Sequence, residues 1–162
     1  KNKMFYFSGS NNEKLLTNKI EIFDNVIPSS NSVMFHNLLI LGKIYNDNLY
    51  INLYNEMTKK LKKYLNNYEF MSNWIFINEI NQKMINEIEI KDISYNHKIT
   101  KEINSWYLPN KILMYNNRPF SLYTKHENLK LSIYLCRNNV CNETIYSINN
   151  LKNTITSNQP GY

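Results

Sequence analysis

The densest group of side chains that accept hydrogen bonds lies at residues 24–32, directly before an apolar helical pattern. Four consecutive polar residues, 29–32, offer acceptors where a helix leaves its first backbone N–H groups unpaired. Asp24 adds a carboxylate near the positive end of that helix dipole. Two interpretations follow: a helix start with more capping groups than it needs, or a polar pocket at the helix end.

The only two cysteines, Cys136 and Cys141, are separated by four residues just beyond the most regular strand pattern. This spacing is neither the C-x-x-C redox motif nor a zinc-ribbon pair, and two thiols alone do not satisfy zinc. A turn between them would bring the sulfurs within reach of a disulfide. Because the cytosol is reducing, we expect free thiols, with a redox role as the alternative hypothesis.

The three histidines, His36, His97 and His126, are scattered and have no metal-ligand spacing, so no metal site is predicted. His36 follows Phe35 inside a helical pattern, which favours a packing or polar-network role. The sequence contains no serine-nucleophile motif, glycine-rich phosphate loop, metalloprotease motif or dinucleotide fingerprint. No cofactor is therefore predicted.

The net charge of +6 and the pI of about 9.2 raise the question of nucleic-acid binding. However, 17 of the 19 basic residues are lysines and alanine is absent, a bias towards AT-rich codons that explains the basicity more simply. The lysine cluster at residues 59–63 is interpreted as a solvated helix face, with a nucleic-acid patch as the weaker alternative. No apolar run is long enough to span a bilayer, so we expect no membrane partner and a cytoplasmic chain.

Apolar residues at three- and four-residue spacing predict a helix from Ser30 to Tyr45. Asp47 is the predicted N-cap of a second helix, in which apolar residues repeat every four positions from Leu49 to Leu65. The short link makes these two helices antiparallel. A third helix is predicted from Ser72 to Ile80, and together these elements form a helical domain over residues 1–81.

After residue 81 the pattern changes to alternating strands and helices, which predicts a small α/β domain over residues 82–157 and a tail over 158–162. Its predicted elements are a strand around Ile88 and Ile90, a helix from His97 to Tyr107, a strand from Lys111 to Tyr115, a strand from Leu129 to Leu135, and a helix capped by Ser147. A helix between two parallel strands would form a right-handed crossover.

Four segments carry a resemblance to a known family. They are D-x-x-I-P-S-x-N-S at 24–32, Phe70–Trp74, Trp106–Lys111 and Tyr134–Cys141. In this order they resemble the carboxy-terminal half of the thioredoxin-domain-containing proteins of the YyaL-like, or spermatogenesis-associated protein 20, family. The resemblance implies a mainly α fold with a small α/β appendage, in which residues 1–81 form helix hairpins of a six-hairpin glycosidase-like α/α toroid.

The resemblance also implies that the chain is a carboxy-terminal fragment, whose partner is the amino-terminal thioredoxin-like domain of the full-length protein. In a carbohydrate-active toroid, Glu21 and Asp24 would be the catalytic carboxylates at the mouth. The residues that would contact the carbohydrate are Ser29, Asn31, Ser32 and Trp74, although a tryptophan on an apolar helix face is usually core. The alternative is a non-catalytic interaction scaffold, in which Cys136 and Cys141 exchange electrons with the thioredoxin-like domain.

Overall fold

The computed structural model describes residues 4–9, 11–12, 16–92, 97–115, 131–138 and 140–157. Within this chain, Lys1–Gln82 and Lys83–Tyr162 form two compact units. His126 and the predicted tail at residues 158–162 lie outside the described residues.

Unit 1 contains a helical hairpin followed by two further helical segments. The elements are α1 (Ser30–Tyr45), α2 (Asn48–Leu61), a 3-10 helix (Leu65–Phe70) and α3 (Ser72–Gln82). Ser29 is the N-cap of α1, and the chain turns at Asn46 with a left-handed φ of 51°. Asp47 then caps α2 by accepting a hydrogen bond from the Leu49 N–H at 2.7 Å. The predicted bounds of α1 and the predicted cap of α2 are confirmed.

The second helix is shorter than predicted. The four-residue repeat of apolar residues continues to Leu65, but α2 ends at Leu61 and the chain continues as a 3-10 helix. Asn67 within that segment has non-helical φ and ψ angles of −109° and 42°. The last turn tightens before the asparagines, because the Lys63 and Tyr64 N–H groups bond to the Lys60 and Leu61 carbonyl oxygens three residues back.

The core of unit 1 is an aromatic cluster between the helices. The Phe35 ring of α1 stacks on Tyr54 of α2 at a centroid distance of 4.3 Å and contacts Trp74 of α3 at 5.1 Å. Gly42 permits the close approach of α1 and α2, because a Cβ atom there would lie 3.0 Å from Ile51 Cγ1. An alanine at this position would require the Ile51 side chain to move by a few tenths of an ångström.

The predicted toroid is wrong. An α/α toroid repeats helix hairpins around a ring, whereas the described part of unit 1 contains one such hairpin, α1–α2, followed by α3. Over both units, the described residues form five α-helices and a four-stranded mixed sheet, which is a small α/β fold. Helix-hairpin periodicity is a local signal, and it does not specify how many hairpins follow or whether they close a ring.

Unit 2 is built on the mixed sheet. Its elements are β1 (Asn86–Asp92), α4 (Lys98–Ser105), β2 (Lys111–Tyr115), β3 (Leu131–Arg137), β4 (Val140–Cys141) and α5 (Ile148–Ser157). The strand order is β2-β1-β3-β4, with β1 and β2 parallel and the other neighbours antiparallel. The predicted bounds of β2 are confirmed, and β2 pairs with β1 in parallel, the arrangement for which a crossover helix was considered. The strand β4 was not predicted.

One sheet face forms an apolar core with residues of α4 and α5. Its buried members are Ile88, Ile90, Ile103, Leu108, Ile133, Leu135, Ile145, Leu151 and Ile155. Lys111 fastens α4 to β2, because its Nζ donates to the Ile103 and Trp106 carbonyl oxygens at 3.1 and 3.0 Å. The positive charge of Lys111 also interacts favourably with the negative, carboxy-terminal end of the α4 dipole.

Candidate functional site

The polar residues at the start of α1 surround one buried carboxylate, that of Asp24. Asp24 is 4% exposed, and its Oδ1 accepts hydrogen bonds from the Ser29 N–H and the Ser32 hydroxyl, both at 2.8 Å. Its Oδ2 accepts from the Asn73 N–H at 2.9 Å. Because Asn73 lies in the first turn of α3, this carboxylate links the starts of two helices. Asp24 thus accepts hydrogen bonds from backbone N–H groups that have no partner within their own helix.

Asn31 uses its whole amide group to hold the segment before α1. Its Nδ2 donates to the Phe5 and Glu21 carbonyl oxygens at 2.9 and 2.8 Å, and its Oδ1 accepts from the Phe5 N–H at 2.7 Å. The side chain is fully buried. An asparagine amide has two donor hydrogens, and both are used here within the protein.

The other predicted site residues are also engaged. Ser32 Oγ, besides its bond to Asp24, accepts from Asn73 Nδ2 at 2.9 Å. Trp74 is 1% exposed, and its indole N–H donates to the Ile22 carbonyl at 2.8 Å. Glu21 is half-buried, and its carboxylate accepts the Ser30 N–H at 3.3 Å.

The structure therefore brings the predicted residues together through bonds within the protein. Ser29, Asn31 and Ser32 surround Asp24 and the chain before α1, and Trp74 lies in the adjoining core. Of the two interpretations of the run, this geometry favours the helix start rather than a polar pocket. Asn73 was missed as a member because it lies 49 residues from Asp24 along the chain, beyond any local spacing signal.

The expectation of free thiols is wrong. Cys136 of β3 and Cys141 of β4 form a disulfide, and the structure contains no free cysteine. The two residues are directly opposed in the antiparallel pair, so strand pairing rather than a loop brings the sulfurs together. Cys136 is 1% exposed, whereas Cys141 is half-buried at the sheet edge. The two cysteine residues of the disulfide therefore differ in their exposure.

A row of side chains crosses the sheet at this point. Glu87 of β1 is the direct cross-strand partner of Cys136, which in turn opposes Cys141. Side chains directly opposed in antiparallel strands point to the same face, so these three share the face opposite the apolar core. Arg137, the next residue, points to the other face, where its Nε donates to Asn86 Oδ1 at 2.8 Å.

A concave surface with a volume of about 560 Å³ is lined by residues that start at Asn142, the residue that follows Cys141 in the chain. It is lined by the chain from β4 to α5 and by one side of α5, and its walls are mostly amide, hydroxyl and carboxylate groups from Asn142, Glu143, Thr144, Asn150, Asn153 and Thr154. Such groups pair with a peptide backbone or another polar ligand rather than with an apolar one.

The remaining candidate residues do not converge. In the parts of the chain that the structure describes, no group of three or more His, Cys, Asp or Glu side chains is placed to hold a metal ion. His36 is half-buried in α1, and this burial lowers its pKa below 6.5. Lys59 pairs with Glu56 at 3.0 Å on the exposed end of α2. Within the same described ranges, no helix has the length and apolar character needed to cross a membrane.

Comparisons with protein-family models, with curated proteins and with solved structures found no match. The resemblance to the YyaL-like family therefore stays a prediction, and the functional argument depends on the geometry of the two units.

Proposed function

We propose that this chain is a non-catalytic interaction module that exchanges thiol and disulfide with a thioredoxin-like domain through Cys136 and Cys141. The observation that carries the proposal is the asymmetric disulfide at the sheet edge, with one cysteine buried and the other half-buried. If the chain is cytoplasmic, as predicted, a disulfide there is usually a transient or redox-sensing one rather than a permanent link.

The exchange proceeds in two balanced steps. A thiolate of the reduced partner attacks the Cys141 sulfur, the bond between the two cysteine sulfurs breaks, and Cys136 leaves as a thiolate that takes up one proton. The second partner thiolate then attacks its own half of the mixed disulfide, and Cys141 leaves. The module gains two electrons and two protons, and the partner dithiol is oxidised to a disulfide. Attack at Cys141 is favoured because it is the more exposed of the two.

The concave surface beside Cys141 supports the choice of a protein partner. A small thiol needs only the exposed sulfur, whereas a polypeptide also needs groups that pair with its backbone on either side of the attacking cysteine. Asn142, Thr144 and Asn150 supply amide and hydroxyl groups for such pairing immediately beyond the disulfide. A polar cavity that starts one residue after Cys141 could hold the chain on either side of a partner's cysteine.

The Asp24 region favours a structural role in the same module. A carbohydrate site needs polar groups directed towards the ligand, but the Asp24 carboxylate and the Asn31 amide are buried and bonded within the protein. The resemblance to carbohydrate-active proteins is therefore not the basis of the proposed activity, and a carbohydrate ligand stays a prediction without a supporting contact.

The proposal is tested by trapping the mixed disulfide. The oxidised full chain is mixed with a reduced thioredoxin in which the second active-site cysteine is replaced by serine, so that the second exchange step cannot occur. We expect a covalent adduct on Cys141, mapped by mass spectrometry of peptides. The Cys136→Ser, Cys141→Ser double variant should form none, and glutathione at equal thiolate concentration should react more slowly.

Two outcomes would overturn the proposal. The first is an adduct on Cys136, because it would show that the buried sulfur is the one attacked. The second is a disulfide that thioredoxin does not reduce in the folded chain and that becomes reducible only when a denaturant unfolds the chain. The disulfide would then be a structural link.

A further inference from the structure

We infer that unit 1 binds the surface of an anionic lipid bilayer through the exposed side chains of Val26 and Ile27 and the aromatic and lysine residues beside them. This inference goes beyond the proposed thiol–disulfide exchange and does not depend on it, because all of these residues belong to unit 1. The expectation of no membrane partner came from the lack of an apolar run long enough to span a bilayer, and binding at a bilayer surface needs no such run.

The turn before α1 presents two aliphatic side chains to solvent. Val26 is 96% exposed and Ile27 is 73% exposed. The Asn25 N–H donates to the Ile27 carbonyl oxygen at 3.0 Å, and Asp24 Oδ1 accepts from the Ser29 N–H at 2.8 Å, so hydrogen bonds hold the backbone of this turn. Transfer of such side chains from water into an apolar medium is favourable. Because the acyl region of a bilayer is fluid, it accepts a protruding pair without a matching cavity.

An aromatic cluster lies close to this turn. The Phe23 ring contacts the Tyr64 ring at a centroid distance of 5.8 Å and the Phe70 ring at 6.3 Å, both edge to face. Phe23 and Phe70 are exposed, and Tyr64 is half-buried. Ile27 follows Phe23 by four residues, so their Cα atoms are at most roughly 14 Å apart. Aromatic side chains are favoured at the interface of a bilayer, where the ring is in an apolar region and a tyrosine hydroxyl stays in water.

Lysines adjoin the aromatic cluster and favour an anionic surface. Lys62 and Lys63 directly precede Tyr64 and are exposed, and neither pairs with a carboxylate among the described residues. The segment 59–70 contains four lysines and a single glutamate, Glu69. Each lysine near an anionic bilayer strengthens binding by about fivefold. Single-stranded nucleic acid would also contact rings and lysines, but it would leave the aliphatic pair without an apolar partner.

The first experiment measures sedimentation of the full chain with phosphatidylcholine vesicles, with or without about 30% phosphatidylserine. We expect binding to be about tenfold or more tighter with phosphatidylserine, and to weaken as salt rises from about 0.1 to about 0.5 M. The Val26→Ser, Ile27→Ser double variant should bind the anionic vesicles about tenfold or more weakly, because two aliphatic side chains no longer leave water. The control is Tyr107→Ser, Val140→Ser in unit 2, whose side chains are 95% and 73% exposed, and it should bind as the parent does.

The lysines are tested by a second matched pair of variants. Lys62→Gln, Lys63→Gln should weaken binding to the anionic vesicles by about tenfold. Lys98→Gln, Lys101→Gln removes the same two charges from exposed positions of α4 and should change binding by less than about twofold. Equal losses from the two pairs would overturn the inference, because they would show attraction to the net charge of the chain rather than to this surface.

A gain of signal separates insertion from misfolding of a variant. The indole introduced by Ile27→Trp should shift its fluorescence to the blue on anionic vesicles and be quenched by lipids brominated on their acyl chains. An indole at residue 27 that stays unquenched would overturn the inference, and so would a parent chain that does not bind anionic vesicles. A dimer that dissociates in the Val26→Ser, Ile27→Ser variant would also refute it, because the surface would then be an interface between two copies of the chain.

Discussion

Replacement of Asp24 by alanine should destabilise unit 1 strongly. The carboxylate accepts three hydrogen bonds, from the Ser29 and Asn73 N–H groups and from the Ser32 hydroxyl. Hydrogen bonds to a charged group contribute about 1.5–3 kcal/mol each, but such contributions do not add fully within one network. The Ser32 hydroxyl also reaches the Ser29 carbonyl at 2.9 Å, so it keeps an acceptor when Asp24 is removed.

The two backbone N–H groups have no such replacement, and they dominate the expected effect. Two lost charge-assisted bonds give a decrease of about 3–5 kcal/mol in the free energy of unfolding. That is a large share of the roughly 5–15 kcal/mol typical of a folded domain. Asp24→Asn keeps one acceptor oxygen but directs an amide towards the Asn73 N–H, so a loss of about 2–3 kcal/mol is expected.

Urea unfolding measures this effect when the signal comes from unit 1 alone. In a Trp106→Phe background the fluorescence reports on Trp74, which lies in the core of unit 1. With a slope of roughly 2 kcal/mol per molar urea, Asp24→Ala should lower the midpoint by about 2 M. Glu21→Gln is the matched control, because its single bond to the Ser30 N–H is 3.3 Å long and exposed. A midpoint shift for Asp24→Ala no larger than that of Glu21→Gln would refute the structural role of the network.

Two further predictions concern side chains of α1 and α2. Burial lowers the pKa of His36 below 6.5, so its neutral form is favoured in the folded state. The free energy of unfolding should therefore fall as the pH drops below 6.5. In the His36→Gln variant, the unfolding midpoint should change less between pH 7.5 and pH 5 than it does in the parent chain. Burial raises the pKa of Tyr54, an effect that the nearby Thr58 and Asn81 side chains partly offset, yet none of the described residues forms a hydrogen bond of good geometry with the hydroxyl. Tyr54→Phe should change the free energy of unfolding by less than about 1 kcal/mol, and a larger loss would show a hydrogen bond to that hydroxyl.

Helix and strand bounds were predictable where their signals are local. The helix at Ser30–Tyr45 follows from apolar spacing on one side and a polar turn on the other, and the structure has the same bounds. The strand at Lys111–Tyr115 and the cap of α5 by Ser147, whose Oγ accepts from the Asn150 N–H, were likewise confirmed. Each of these features depends on residues within a few positions of one another.

The contacts that define the candidate sites depend on residues far apart in sequence. Asp24 binds Asn73 across 49 residues, and Glu87 opposes Cys136 across a strand pair. Alternation of glutamate and isoleucine in β1 is typical of a strand with one solvated face. In the structure residues on both faces of β1 are buried, so the alternation does not mark a solvated face here. A strand of two residues, β4, is too short for any periodicity, so the strand pairing that places Cys141 opposite Cys136 was not predicted, although the sequence had raised a turn between them.

The polar groups of the two units differ in the structural consequence of breaking their interactions. Around Asp24 the hydrogen bonds join backbone to side chain, and breaking any of them releases a helix start. At the edge of the sheet, Cys136 and Cys141 are joined by backbone pairing of their strands as well as by the disulfide. We therefore expect β3 and β4 to stay paired when the disulfide opens. This difference favours Cys136 and Cys141, rather than the network around Asp24, as the site of the proposed thiol–disulfide exchange.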